Sequence, residues 1–167
     1  MGYSVEKNTQ VLLSLLKKHE IRKIIINPGT TNMSFAISVQ QDEFFELYSC
    51  VDERSGAYMA CGMADECGEP VVLSCTGATA SRNYLPALTE AYYRKLPVLA
   101  VTSTKEGCFV GNNFSQVIDR SLQPRDTYKY SAHIPVVVSD NDAWECNLKI
   151  NEALMKLTEG EGGPVHI

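Results

Sequence analysis

A set of short, unbroken apolar runs limits the fold more than any other feature of this chain. Ile24-Ile25-Ile26, Val71-Val72-Leu73 and Val98-Leu99-Ala100-Val101 lack the alternation expected of strands with one wet face. Runs this short, bounded by Pro, Gly and small polar residues, fit strands buried on both faces, the pattern of a parallel sheet. Segments of helical period lie between them. The expected class is therefore α/β: one domain with a parallel sheet of about five to six strands and helices on both faces.

The elements follow in order. Ser4 can cap a helix to about His19 with Val5, Leu12, Leu13, Leu15 and Leu16 on its apolar face. Strands are expected at residues 23–27, 44–50, 70–74, 98–102 and 135–138, with a last one starting at Pro164. Further helices are expected at residues 33–40, 53–67, 82–94 and 114–122. A long helix at 143–158, capped by Ser139 or Asp140, turns Ala143, Ile150, Leu154 and Leu157 inward. Gly68 closes the helix that begins at Glu53.

Composition removes several function classes. A chain of 167 residues fits one domain, and one this size buries roughly 70% of its unfolded surface. No apolar run approaches the roughly 18 residues of a membrane span, and the first seven residues show no secretory leader, so the expected compartment is the cytoplasm. The net charge is −5 and the 15 Lys and Arg are scattered, which argues against a nucleic-acid partner. Six cysteines without a CxxC pair read mostly as buried, reduced thiols, and three distant histidines suggest no metal site. The absence of GxGxxG and GxxxxGK[ST] argues against an ordinary nucleotide-binding fold.

Open parallel sheets bind ligands beyond the C-terminal ends of their strands. Pro28-Gly29-Thr30, Asp52-Glu53, Thr76-Gly77-Ala78 and residues 103–111 all lie at such ends and should converge. Glu53 stands out, since a strand runs directly into a helix opened by a carboxylate. An acidic residue there can simply complement the helix dipole. However, Gly56, Ala60 and Ala64, with Ala57 and Cys61 beside them, give this helix a small-residue face that admits close packing, and so a carboxylate held against a ligand with little water.

These motifs together resemble the N-terminal pyrimidine-binding (Pyr) domain of thiamin diphosphate (ThDP) dependent enzymes, over nearly the whole chain. Asn27-Pro28-Gly29 looks like the family's first cofactor loop, and residues 52–58 like the segment carrying its activating glutamate. Residues 75–79 with Asn83 look like its Thr- and Gly-rich loop, residues 111–116 like its Gly…Gln loop, and residues 164–167 like the segment closing the domain. Residues 52–55 and Ile118-Asp119-Arg120 are most similar to menaquinone-pathway succinyl-enolpyruvyl-cyclohexene-carboxylate synthase, and residues 96–102 equally to acetolactate synthases. The former carries an arginine in its first loop, where Thr30-Thr31-Asn32 has none.

The resemblance implies a ThDP-binding fold of Pyr type and a catalytic Glu53 bonded to the cofactor's aminopyrimidine. It implies cofactor contacts at Pro28, Gly29, Thr30, Thr76, Gly77 and Gln116. Asn83 reads as a ligand contact or as a hydrogen bonder at a helix start, and Arg82 as a contact for a substrate carboxylate or as a solvated side chain. The implied reaction is decarboxylation of a 2-oxo acid, with or without carboligation. The family holds the diphosphate through Mg²⁺ on another domain bearing a Gly-Asp-Gly segment, and this sequence has no metal ligands of that kind. The implied partners are that diphosphate-binding domain, in the same chain or a separate subunit, and a second copy in a dimer or tetramer. Residues 1–167 then form one domain of a longer polypeptide or a natural short subunit, inactive when isolated. A non-catalytic dimerisation or regulatory module with the same fold is the alternative.

Overall fold

Among the described residues, six strands carry the fold: β1 (Lys23–Ile26), β2 (Glu46–Ser49), β3 (Val71–Thr76), β4 (Val98–Ser103), β5 (Tyr130–Ser131) and β6 (Val165–His166). The helices are α1 (Lys7–Lys18), α2 (Met33–Gln40), α3 (Glu53–Cys67), α4 (Thr79–Arg82), α5 (Leu85–Arg94) and α6 (Asp140–Thr158). The structure is a computed structural model that describes residues 4–167; residues 1–3, part of the segment read as lacking a leader, lie outside it. All strand pairings are parallel, in the order β2-β1-β3-β4-β6-β5. The α/β parallel sheet expected from the apolar runs is the observed fold, and each residue of β3 is buried.

Two apolar layers cover the sheet. On one face, Leu12, Leu13, Leu15 and Leu16 of α1, Phe35 and Val39 of α2, and Cys146, Ile150, Ala153, Leu154 and Leu157 of α6 pack on Ile24, Ile26, Val72 and Leu99. On the other, Ala57, Ala60, Cys61 and Ala64 of α3 and Ala87, Leu88 and Ala91 of α5 pack on Ile25, Val71, Leu73 and Val98. The small-residue face of α3 thus seats that helix against the sheet and α5. Asp52 caps α3 by accepting from Ser55 N at 2.7 Å, and Gly68 ends it in the left-handed conformation at φ 67°.

Several local expectations are corrected. Helix α1 starts at Lys7, not near Ser4, and Val5 is 91% exposed rather than part of its apolar face. Residues 82–94 are not one helix, because Pro86, lacking the N–H that would bond one turn back, sits in the first turn of a new helix, α5. Residues 114–122 form turns. There Asp119 Oδ1 accepts from Ser121 N at 2.9 Å, a side-chain bond to local backbone that favours a turn, and Arg82 holds the stretch through the carbonyls of Asp119 (2.7 Å) and Leu122 (3.2 Å). Residues 135–138 are not a strand. Val136 and Val138 are exposed, and the Asp142 carboxylate accepts from Val138 N (3.1 Å) and Ser139 N (2.8 Å), drawing this stretch into the capping box of α6. Strand β5 falls at Tyr130–Ser131 instead and pairs with β6. Only Cys61, Cys75 and Cys146 are buried; Cys67 and Cys108 are exposed, so the thiols are less uniformly internal than their apolar neighbours suggested.

Candidate functional site

The chain enters the sheet at β1, adds β2 on one side and then crosses to add β3 on the other. Helix α2, after β1, lies on one face, whereas α4 and α5, after β3, lead to the other. The loops leaving β1 and β3 therefore diverge, the kind of switch point at which open α/β sheets bind ligands. Asn27 follows β1 there and is 1% exposed. Its Nδ2 donates to the carbonyls of Cys50 (2.7 Å) and Asp52 (3.1 Å), while its Oδ1 accepts from the Tyr84 hydroxyl at 2.6 Å. One buried amide thus ties the end of β1 to the entry of α3 and, through Tyr84, to the start of α5.

That tie places Glu53. The residue opens α3, is half-buried, and accepts from Asn83 Nδ2 at 3.3 Å through Oε2. Among the described residues, its other carboxylate oxygen has no protein partner. Gly56, one turn on, allows the close approach: a Cβ there would lie 2.8 Å from Asn27 Nδ2. Tyr84 is held protonated, its phenol pushed far above the usual range first by burial and then by Cys75, with Glu53 adding in the same direction. Burial likewise pushes the Cys75 thiol up to about 12.

Two loops close around Glu53's neighbours. A Cβ on Gly29 would overlap Thr76 Oγ1, so the β1 loop runs directly over the end of β3. Gly77 N donates to Ser103 O at 2.6 Å, Thr31 Oγ1 donates to the same carbonyl at 3.0 Å, and a Cβ on Gly77 would lie 2.5 Å from it. Asn32 is fully buried and donates to Asn27 O (3.1 Å) and Ser74 Oγ (3.3 Å), but its Oδ1 lacks a protein partner.

Of the residues singled out from sequence, Glu53 and Asn83 meet in one contact, while Gly29, Thr76 and Gly77 meet at the neighbouring junction of the loops after β1, β3 and β4. Pro28 and Thr30 are exposed on the loop after β1. Gln116 lies on an exposed turn with φ 61°. Arg82 braces that turn region through two backbone carbonyls rather than standing free in solvent. Asn27, Asn32 and Tyr84 were not assigned roles from sequence, although a lone asparagine ending an apolar strand signals a buried polar junction.

A second polar cluster lies at the ends of β4 and β6. Arg120 donates to Thr102 O (2.9 Å) and to His166 Nε2 (2.9 Å), and Thr102 Oγ1 lies 2.7 Å from the same nitrogen. Guanidinium nitrogens only donate, so Nε2 is the acceptor and the neutral imidazole carries its proton on Nδ1. Burial, then Arg120 and Arg82, holds the His166 imidazole well below its usual protonation range.

The description "thiamine pyrophosphate enzyme, N-terminal TPP binding domain" belongs to the family model that matches residues 7–122. A 2-succinyl-5-enolpyruvyl-6-hydroxy-3-cyclohexene-1-carboxylate synthase from Phocaeicola vulgatus is 34% identical over 165 residues, 99% of this chain and 30% of the relative. The enzyme of the same name from Porphyromonas gingivalis is 35% identical over 166 residues, covering 99% of this chain and 29% of its own. The chain therefore spans about 30% of the length of these curated relatives. A solved structure of a thiamine diphosphate-dependent 4-hydroxybenzoylformate decarboxylase from Rhodococcus jostii RHA1 overlays with TM-score 0.79 at 21% identity, covering 95% of this chain and 29% of that one. A benzoylformate decarboxylase from Polynucleobacter necessarius overlays with TM-score 0.74 at 19% identity, over 97% and 29% of the two chains.

Proposed function

Because the chain belongs to the thiamine pyrophosphate enzyme family, as its N-terminal TPP binding domain, we propose that it supplies the pyrimidine half of a ThDP site in which Glu53 is the activating carboxylate. One observation carries the reading: Glu53 sits half-buried beside the switch point, with one oxygen held by Asn83 and the other without a protein partner among the described residues. The donor set fits the cofactor's aminopyrimidine, whose ring nitrogen needs an acidic partner and whose flat ring needs backbone nearby. Pro28, Gly29 and Thr30 lie exposed or half-exposed on the loop that passes over Thr76 at Gly29, and Gln116 lies shortly before the Asp119 carbonyl that Arg82 holds.

In this reading each residue has a limited task. Glu53 shares a proton with the pyrimidine N1′ nitrogen, and Asn83 fixes the carboxylate's rotation. Asn27, locked by Tyr84, holds the carbonyls on either side of the α3 entry so that Glu53 starts from a rigid support. When bound, ThDP supplies an electron sink for decarboxylating a 2-oxo acid. That is the chemistry of a decarboxylase or, where a second acceptor is used, of a carboligase. Thr30-Thr31-Asn32 puts no cation in the first loop, so cations for an acidic acceptor come from elsewhere.

Mg²⁺ and the diphosphate belong to a separate domain, in the same polypeptide or a partner subunit, and the complete site forms in a cytoplasmic homo-oligomer. Alone, residues 1–167 bind ThDP weakly and do not turn over. The test uses protein from its native source: intact subunit masses, with ThDP and Mg²⁺ assayed on the same sample. About one ThDP per copy of this domain supports the proposal. Protein free of ThDP even after incubation with saturating ThDP and Mg²⁺ overturns it in favour of a non-catalytic module.

A further inference from the structure

Residues 104–128 join β4 to β5 by turns and one short 3₁₀ turn at Gly107–Phe109. Among the described residues, no backbone-to-backbone hydrogen bond joins this stretch to the rest of the fold. Side chains join it instead. Arg82 reaches in to the carbonyls of Asp119 and Leu122, and Tyr93 donates to Asp126 at 3.0 Å. Arg120 reaches out, to Thr102 O and to His166 Nε2, both at 2.9 Å. Thr102 and His166 are buried, so Arg120 is the anchor that enters the interior.

The stretch depends on its anchors. Gln116 has left-handed backbone at φ 61°, a region that residues other than Gly, Asn and Asp seldom adopt. Such a conformation persists only where the surroundings hold it. The side chain of Gln116 is exposed, and Arg120 is the inward anchor that follows it in the chain.

Whether that anchor holds is decided at His166. Arg120 can donate to Nε2 only while that nitrogen is bare, with the ring proton on Nδ1. The imidazole is 2% exposed, and Nδ1 has no protein partner among the described residues, so the contacts at Nε2 select the tautomer. A proton on Nε2 would set N–H against N–H and one cation against another, and the bond to Arg120 would be lost.

No neighbour compensates such a proton. The charged groups that act on the ring are both cations, Arg120 and Arg82. Thr102 Oγ1, at 2.7 Å, is neutral, and Ser131 is the residue beside His166 on β5. Tyr128, whose ring centre lies 4.9 Å away, and Cys75 on β3 stay neutral, each pushed up to about 12 first by burial. Asp119, the carboxylate beside Arg120 in the chain, turns Oδ1 to Ser121 N and Oγ. His133, held below its usual protonation range by burial and then by Arg120, would add a further cation if protonated.

We propose that His166 is a positioning residue: neutral, it accepts from Arg120 and so latches residues 116–123 onto the ends of β4 and β6, and a proton on Nε2 releases them. The consequence for a cofactor rests on the role proposed for Gln116; the latch itself does not.

The test is solvent exchange of the Arg120 Nε–H, followed by NMR in the ThDP-free, 15N-labelled 167-residue chain. That nitrogen is covered by protein in the latched state, so its proton meets water on release. The released imidazole binds a proton that the latched one excludes. Exchange, corrected for its intrinsic pH dependence, should therefore accelerate up to about tenfold per unit as pH falls below about 6.5. His166→Gln, whose amide oxygen stands in for a bare Nε2 and does not titrate, should keep the slow neutral exchange and lose the acid rise. His166→Leu, without an acceptor, should exchange at least about tenfold faster at neutral pH. His133→Gln should retain the acid rise. No outcome involves ThDP, so the latch can fail while the assignment of Glu53 stands, and the reverse. Exchange independent of pH in the parent, an acid rise undiminished in His166→Gln, or neutral exchange unchanged in His166→Leu would each overturn the proposal.

Discussion

Replacing Tyr84 by phenylalanine tests the junction that supports Glu53 with the loss of a single oxygen. Tyr84 is 0% exposed and Asn27 1% exposed, and the hydroxyl donates to Asn27 Oδ1 at 2.6 Å. Phenylalanine keeps the ring and nearly all its packing, so the cavity contribution is small. What remains is a buried amide oxygen without a donor, which costs about 1–3 kcal/mol. Asn27 cannot swing to recover it without releasing Cys50 O and Asp52 O. The expected loss is therefore about 2 kcal/mol, or about 4–8 °C in Tm for a domain of this size. Tyr130→Phe is an internal control, because that hydroxyl donates at 3.0 Å to Glu152 near the surface, where water can replace it; the change should cost less than about 0.5 kcal/mol. Urea unfolding followed by circular dichroism, with unchanged m, separates the two. If Tyr84→Phe falls within about 0.5 kcal/mol of the parent, or matches Tyr130→Phe, the junction does not contribute the stability assigned to it.

The remaining expectations concern pH, thiols and glycines. The unfolded chain binds a proton at His166 near pH 6.5 whereas the folded chain does not, so stability should fall as pH drops from about 7 to 5, at up to ~1.4 kcal/mol per unit. His166→Gln should flatten that slope more than His133→Gln does, the latter's shift having the same sign; equal slopes in parent and His166→Gln would contradict the assignment. With a thiol reagent at pH 8, Cys67 and Cys108 should react quickly, while Cys61, Cys75 and Cys146, buried with thiols pushed up to about 11, 12 and 11, should wait for unfolding. Fast labelling of all six in native protein would refute the packing described. Gly77→Ala should cost about 1–3 kcal/mol, because its Cβ would meet Ser103 backbone at 2.5 Å. Gly62→Ala, on the open side of α3 with nothing within 4 Å, should stabilise by about 0.5–1 kcal/mol. The reverse ranking in thermal unfolding would count against both assignments.

The parallel sheet was legible because its strands are apolar on both faces, and the α3 entry because a strand leads straight into an acidic helix start. Less visible was whatever depends on partners distant in sequence. Residues 114–122 carry helix-compatible side chains, yet the stretch is held as turns through the carbonyls of Asp119 and Leu122 by Arg82, some 40 positions from Leu122. The Val136-Val137-Val138 run reads as a strand only if the Asp142 side chain, which draws it into a cap, is ignored. Asn27 was visible as part of a loop motif, but its bonds to Cys50, Asp52 and Tyr84 join three elements and leave no local pattern. The Arg120–His166 pair was hidden for the same reason, its members lying 46 residues apart.

The most direct test of the role given to Glu53 is the rate of hydrogen–deuterium exchange at the thiazolium C2 of ThDP, measured in the complete protein that the proposal requires, with a diphosphate-binding domain present. Comparison of the parent with Glu53→Gln isolates the carboxylate. The account predicts exchange slowed at least about 100-fold with the melting temperature nearly unchanged, since a positioned acid–base group contributes 10²–10⁴-fold. Equal exchange rates in the two proteins, each loaded with ThDP, would show that Glu53 does not activate the cofactor and is a helix-end charge.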